Sequence, residues 1–291
     1  VTKLDPSKFY PMHPAVQERI ANNDLNGALA ILAKPADKNA SRYMKFVSRY
    51  AQKLRDMNLK TTVVINKQNQ LAGDYIKRFA GPQRRQVMQW IESYDWGKQW
   101  LQEHGFYAPL DDPKAIEKIV NTLQYIDIGT NFGIPNQEEV FAPIKAQLEQ
   151  LTESYETAYG NLTAGGSYHG NMDLINLNPN EGGLSTGYFL HEVTHAASMY
   201  ATAPWNFKDL SKPQQEAVTE LKETFEYVKD LYDRGVVKFT DDYGMINLRE
   251  VISEVMSNEK FQEELKRSKY KGSNGSLGDR CANWIKQLWG W

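Results

Sequence analysis

Two histidines and one glutamate lie within five residues of the chain, at His191, Glu192 and His195. Residues four apart project from the same face of a helix, so both imidazoles could bind one metal ion. Glu192 lies next to them, where its carboxylate could take a proton from a metal-bound water without binding the metal itself. This HExxH pattern is typical of zinc sites that hydrolyse peptide bonds, and it predicts such a site here.

A third protein ligand has to come from another part of the chain. The metzincin pattern needs glycine at 198 and histidine at 201, and it is excluded because this chain has Ser198 and Ala201. The aspartate-zincin pattern is excluded as well, because Thr240 occupies the position at which that pattern has aspartate. The third ligand is therefore expected to be a glutamate.

Two predicted helices offer this glutamate. Glu250 and Glu254 are four residues apart, so one could bind the metal while the other accepts the spare N–H of a ligating histidine. Glu216 and Glu220 are the alternatives, although an acid at 216 is also explained by the dipole of the helix that begins there. Glu250 is preferred because its helix has an apolar face that fixes it to the core. Asn247 and Glu250 also fit a helix-capping pair, so this alternative stays open.

Tyr243 precedes Glu250 by seven residues. A phenol at this place could donate a hydrogen bond to the oxyanion that forms when a peptide bond is attacked. With the HExxH segment and the two later glutamates, this spacing resembles the glutamate zincins of the anthrax lethal factor type. The resemblance implies a role for each of six residues: zinc ligands His191, His195 and Glu250, base Glu192, oxyanion helper Tyr243, and Glu254 as partner of a ligating histidine.

A wider resemblance covers most of the chain. Residues 23–29, 166–170 and 250–262, with a closing tryptophan-rich helix, are similar to metallopeptidase-like domains in large polyvalent proteins of phages and prophages. This resemblance implies an origin within a larger phage or prophage polypeptide, and a location in the virion or in the host bacterial cytoplasm. The chain begins with Val1 rather than methionine, as expected of a processed or excised segment, and it shows no signal peptide or membrane-spanning run.

The predicted fold is a mainly helical α+β zincin. Residues 1–68 are predicted as a helical prefix with a first strand, 69–160 as a helical insertion or subdomain, and 161–291 as the zincin catalytic core. In that core a small sheet packs on the HExxH helix, and the helix of Glu250 lies opposite. A hairpin is predicted over 167–178, with a turn at 170–171 and a strand that includes Leu174, Ile175 and Leu177, and the HExxH helix begins near Ser185. His169 is predicted to be a turn residue rather than a ligand.

Composition limits the partners of this chain. It has 34 basic and 36 acidic side chains, so it lacks the positive charge expected of a protein that binds nucleic acid or an anionic membrane. Cys281 is the single cysteine, which excludes an internal disulfide and a cysteine-ligated zinc. The expected partner is a polypeptide substrate, bound as an added strand at the sheet edge before the HExxH helix.

The predicted function is zinc-dependent hydrolysis of peptide bonds. The main alternative is a catalytically silent structural or delivery domain of a phage particle, in which zinc acts as a staple. A weaker alternative is a zinc amidase that acts on cell-wall peptide. The replacement Glu192→Gln separates the first two, because it should abolish cleavage with zinc retained in an enzyme and have no effect in a scaffold.

Overall fold

The computed structural model describes residues 10–268 and 276–289, and the chain divides into two compact units. One unit is Asn66–Ala164, which we call the helical unit. The other is formed by the described residues up to Ile65 and from Gly165 onwards, and we call it the sheet unit. Within the described ranges, no helix is both long and apolar enough to cross a membrane.

The sheet unit begins with three helices and a strand: α1 Pro14–Ala21, α2 Leu25–Leu32, α3 Arg42–Asp56 and β1 Thr62–Ile65. Side chains at the helix starts satisfy backbone N–H groups that have no partner within the helix. Asp24 accepts a hydrogen bond from the backbone N of Gly27, and Ser41 accepts one from that of Met44. The predicted first strand is confirmed, and it follows from a short β-branched run.

The helical unit contains six α-helices: α4 Gln68–Tyr75, α5 Gly81–Glu92, α6 Gly97–Glu103, α7 Pro113–Asp127, α8 Gln137–Phe141 and α9 Lys145–Thr163. A wider π-type turn, Ile76–Ala80, links α4 to α5. A 3-10 turn, Ala142–Ile144, separates α8 from α9. This break occurs at Pro143, which has no backbone N–H to donate, so a single α-helix does not run from 137 to 163.

After the helical unit the chain returns to the sheet unit and completes it with β2 Gly166–His169, β3 Leu174–Leu177, α10 Thr186–Thr202, α11 Lys212–Asp233, α12 Leu248–Ser257, α13 Glu259–Arg267 and α14 Leu277–Leu288. The described strands form one sheet in the order β1-β3-β2. The central strand β3 runs parallel to β1 and antiparallel to β2. Ile65 and Gly166 both pair with Leu177, from opposite sides. The predicted pair of strands with a turn at 170–171 is confirmed.

The helix α10 is the centre of the sheet unit. Ser185 accepts a hydrogen bond from Tyr188 N and so sets the start of α10, as the sequence predicts. Three of its own residues, Phe189, Leu190 and Val193, are fully buried. The helix packs on β2 and β3 and, on another side, against α12. The mainly helical α+β architecture with a small sheet is therefore confirmed.

Candidate metal centre

Three side chains converge where α10 packs against α12. His191 and His195 come from α10, and Glu250 comes from the first turn of α12. His191 Nε2 lies 3.1 Å from His195 Nε2 and 3.1 Å from Glu250 Oε2. The remaining distance, from His195 Nε2 to Glu250 Oε2, is 3.2 Å. The three atoms therefore form a nearly equilateral triangle.

This triangle fits a metal ion. A tetrahedral zinc ion with ligand atoms about 2.0–2.2 Å away places those atoms about 3.3 Å from one another. Two imidazole nitrogens and a carboxylate oxygen also suit zinc and other divalent transition metals. His191 is buried, whereas His195 and Glu250 are partly exposed, so solvent can reach the triangle. The group can therefore hold a metal ion.

Glu254 is placed to orient His191. It lies one helical turn beyond Glu250 and is fully buried. Its Oε1 lies 3.0 Å from His191 Nδ1, and its Oε2 accepts a 2.6 Å hydrogen bond from Asn258 Nδ2. A proton on Nδ1 faces this carboxylate, which leaves the lone pair of Nε2 directed at the triangle. This is the position that the role implied for Glu254 requires.

The electrostatics of the group couple the imidazoles to the carboxylates. Burial disfavours a charged His191, but hydrogen bonds with Glu250 and Glu254 outweigh it and hold its pKa well above the ordinary value. Burial also opposes the ionisation of Glu250, but hydrogen bonds with His191 and His195 lower its pKa to about 2. A divalent cation would take the place of the imidazole proton between these groups, so metal binding should release protons.

Glu192 lies on the side of α10 that faces the sheet. A Cβ at Gly166 would lie 2.9 Å from Glu192 Cγ and 3.0 Å from its Oε1, so the carboxylate rests against β2. Glycine at this position permits that approach. Burial raises the pKa of Glu192, and the neighbouring His191 and His195 partly oppose the rise. The carboxylate thus lies between the metal group and the edge strand, outside the group itself.

Tyr243 opens a short turn directly before α12. Its ring centre lies 5.9 Å from that of His191. Burial and then the charges of Glu250 and Glu192 raise the pKa of Tyr243, so its phenol keeps the proton. The next residue, Gly244, cannot be larger without conflict, because a Cβ there would lie 2.7 Å from Phe261 Cζ. A protonated donor therefore stands beside the metal group.

The alternative glutamates lie elsewhere. Glu216 and Glu220 are on α11, and among the described residues the possible metal group contains neither of them. The structure also shows which residue caps α12, and the Glu250 side chain is not needed for this. Asn247 caps α12 by accepting from the backbone N of Arg249 and of Glu250, while the Glu250 carboxylate points to the two histidines.

The prediction that His169 is a turn residue is wrong. It is the last residue of β2, paired with Leu174 across the sheet. Successive residues of a strand point to opposite faces, so His169 shares a face with Ser167, whose Oγ lies 3.0 Å from His169 Nε2. Gly166, which meets Glu192, is on the other face. His169 is not in the metal group.

Three residues of the site were missed at the level of sequence. Tyr188 packs against Tyr243, and burial followed by the charge of Glu192 raises its pKa. Ser257 Oγ lies 3.4 Å from His191 Nδ1, and Asn258 holds Glu254. Tyr188 precedes Glu192 by four residues on one helix, and this spacing was the one available signal.

Arg249 is a further residue near the site. It is half-buried, and its Nε donates to Thr202 Oγ1 at 3.2 Å. Its charge also acts on Tyr168 of β2, where it opposes the rise in pKa that burial and Asp173 cause. Among the described residues, no carboxylate lies within ion-pairing distance of Arg249. Tyr168 and Gly166 share one face of β2. Arg249, which acts on Tyr168, and Glu192, which rests against Gly166, therefore both adjoin this face.

Comparisons with models of known families, with curated proteins and with solved structures gave no match to this chain. The chemistry available to this protein is therefore inferred from the side chains of the metal group and those around it.

Proposed function

We propose that this protein is a zinc peptidase of the glutamate-zincin type. One observation carries the proposal: a buried carboxylate, Glu192, lies between a group of three possible metal ligands and a sheet edge. Two histidines and a carboxylate also occur in non-haem iron oxygenases. Glu192 favours hydrolysis, because hydrolysis needs a base next to the ligands and that oxygenase ligand set does not include one.

His191, His195 and Glu250 would hold the zinc ion, and Glu254 would fix the orientation of His191. When bound, zinc lowers the pKa of water towards neutrality and polarises a carbonyl group. Glu192 accepts the proton of the attacking water and then delivers it to the leaving amine. Its raised pKa favours the second transfer, since a carboxyl group whose pKa is raised by burial holds a proton more readily than an exposed one. The Tyr243 phenol donates a hydrogen bond to the developing oxyanion.

The substrate in this proposal is a polypeptide in extended form. The strand β2 is at the edge of the sheet and adjoins α10, so a substrate backbone can pair with it as an additional strand. The peptide bond to be cut would then pass close to Glu192, which rests against Gly166. Arg249, without a carboxylate partner among the described residues, favours an acidic side chain in the substrate.

The second candidate is a zinc-stapled structural or delivery domain of a phage particle. Its support is the depth of burial, because His191 and Glu254 are almost inaccessible and a metal there would crosslink α10 to α12. The assignment to a phage or prophage polypeptide depends on sequence resemblance alone. The buried Glu192 favours the peptidase over the structural domain. A purely structural zinc ion would not require a further carboxylate beside Glu250 and Glu254.

The test measures metal content and cleavage together. The wild type, Glu250→Ala, Glu192→Gln and, as a control, Glu220→Gln are analysed by elemental mass spectrometry and assayed on an unfolded protein and on purified peptidoglycan. Iron(II), manganese and zinc are each added to metal-free protein. We expect one zinc per chain, lost or weakened in Glu250→Ala alone, and cleavage of the unfolded protein that Glu192→Gln reduces by about 10²–10⁴-fold.

Other results would lead to different functions. Zinc that binds without cleavage by any variant would favour the structural domain. Activity on peptidoglycan alone would favour the amidase, and activity with iron(II) alone would exclude the zinc peptidase. Full zinc retention in Glu250→Ala would return the search for a third ligand to Glu216 and Glu220.

A further inference from the structure

A cavity of about 630 Å³ lies in the sheet unit, between α3, α12, α13 and α14. The metal ligands do not line it. Its volume is in the range of small-molecule sites, which is about 300–1,000 Å³. Its floor is apolar and draws on four helices: Phe46 on α3, Val255 and Met256 on α12, Leu265 on α13, and Ala282 on α14.

The rim of this cavity is strongly basic. Arg42, Arg49 and Lys53 of α3 lie on one side of it, at spacings that place them on one helix face with Phe46. Lys266 and Lys286 complete the rim from α13 and α14. The lining includes one acidic residue, Asp279, and its carboxylate already accepts a hydrogen bond from Ser276 Oγ. Five cations therefore surround an apolar floor.

Most of these cations lack an acidic partner among the residues that the structure describes. Within the described parts of the chain, no carboxylate is in ion-pairing distance of Arg42, Arg49, Lys266 or Lys286. Elsewhere in the sheet unit, exposed basic residues such as Arg19 and Lys229 are paired with a nearby aspartate. The stem of Lys266 lies close to the backbone of Gly278, where a Cβ would be 3.1 Å from Lys266 Cγ.

This combination selects the chemistry of the ligand. Burial of a hydrocarbon chain against the apolar floor stabilises the complex by about 0.8 kcal/mol for each CH₂ group. Cations at the rim attract a carboxylate and form charge-assisted hydrogen bonds with it. A cationic or purely polar ligand would not combine burial of a hydrocarbon chain with attraction to the cations. A basic groove for nucleic acid would present exposed aromatic faces for stacking, whereas Tyr50 is fully buried and Phe46 packs on it with ring centres 5.7 Å apart.

We propose that this cavity binds a single-chain anionic amphiphile of the fatty-acid class, with its chain on the apolar floor and its carboxylate among the cations of α3, α13 and α14. The site is independent of the proposed peptidase activity.

The test is calorimetric titration of the full chain with dodecanoate below its micellar concentration. Dodecyl maltoside serves as a neutral probe and dodecyltrimethylammonium as a cationic one. We expect one dodecanoate per chain and much weaker binding of the other two. Arg49→Gln and Lys266→Gln should each weaken dodecanoate binding by about tenfold, since each removes one charge-assisted contact. Lys145→Gln, on the helical unit, is the matched control and should change nothing.

A second variant tests the floor. Ala282→Trp fills the cavity while leaving all five cations in place, and it should abolish dodecanoate binding. Its circular dichroism and metal content, compared with the wild type, show whether it is folded. The proposal is overturned if the neutral and anionic probes bind equally, if Ala282→Trp binds dodecanoate like the wild type, or if no dodecanoate binds. Binding of an acidic helical peptide, or of anionic vesicles, without binding of dodecanoate would also overturn it.

Discussion

The two units of this chain bury different kinds of side chain. In the helical unit, among the described residues, the buried polar side chains are Gln68 and Thr122, and the core is otherwise apolar. The sheet unit has its own apolar core, but it also buries His191, Glu192 and Glu254. A buried charged group costs free energy unless it is paired or binds a metal. The helical unit therefore depends mainly on apolar packing, whereas the sheet unit also depends on how its charged groups are compensated.

Removal of the proposed zinc ion should have the largest effect, and only in the sheet unit. A ligand present at about 1,000 times its Kd stabilises the folded state by about 4 kcal/mol. Chelation should therefore lower protection from hydrogen exchange in α10 and α12 by that amount and leave α7 and α9 unchanged. Hydrogen exchange read by mass spectrometry resolves these segments. An equal loss of protection in both units would show that their stabilities are not separate.

Leu151→Ala should destabilise the helical unit by about 2–5 kcal/mol, because Leu151 is fully buried in its core and the change leaves a cavity. Metal content should stay at the wild-type value. Chemical denaturation and elemental analysis measure the two quantities. Gln150→Ala, one residue away and exposed, is the control and should be close to neutral. Loss of metal in Leu151→Ala would contradict the separation of the units.

Glu254→Gln should weaken metal binding by about 10- to 100-fold, because an amide holds the Nδ1 proton of His191 less strongly than a carboxylate does. A competitive titration with a chelating dye gives the affinity. Glu216→Gln replaces an exposed glutamate on α11 and should leave the affinity unchanged. An unchanged affinity in Glu254→Gln would mean that Glu254 is only a buried partner of Asn258.

Gly166→Ala should have the smallest effect on the metal and a clear one on activity. The added methyl group would meet Glu192 Cγ at 2.9 Å and displace its carboxylate. We expect cleavage to fall by about 10- to 100-fold, since small displacements of a catalytic group have effects of this size. Metal affinity should stay within about twofold of the wild type, because the three ligands are not touched. Cleavage at the wild-type rate, with the metal retained, would refute the placement of Glu192.

Local patterns explain what the sequence predicted well. The start of α10 at Ser185 and the first strand, at 62–65, each depend on a few adjacent residues. The HExxH spacing likewise fixes His191 and His195 on one helix face. These features need no knowledge of the rest of the fold.

Contacts between distant segments explain what sequence reasoning missed. Glu250 could be preferred over Glu216 and Glu220 but not shown to face the histidines, because this depends on how α12 packs against α10. The close approach of Gly166 to Glu192 and the hydrogen bond from Asn258 to Glu254 likewise depend on how the side chains pack in the fold, and the sequence spacing of these residues does not reveal them. The cations of the cavity rim come from three helices, and no local pattern connects them.

The shared pairing of Ile65 and Gly166 with Leu177 bears on how this chain could be rearranged. Neighbouring strands are about 4.8 Å apart, so these two residues lie about 10 Å from each other across one row of the sheet. A bridge of three or four residues could span that distance. The whole of 66–164 is thus a cassette with adjacent ends, which a single recombination event could insert, exchange or delete without shifting the register of the sheet. The same junction is where a reporter protein could be spliced into the chain.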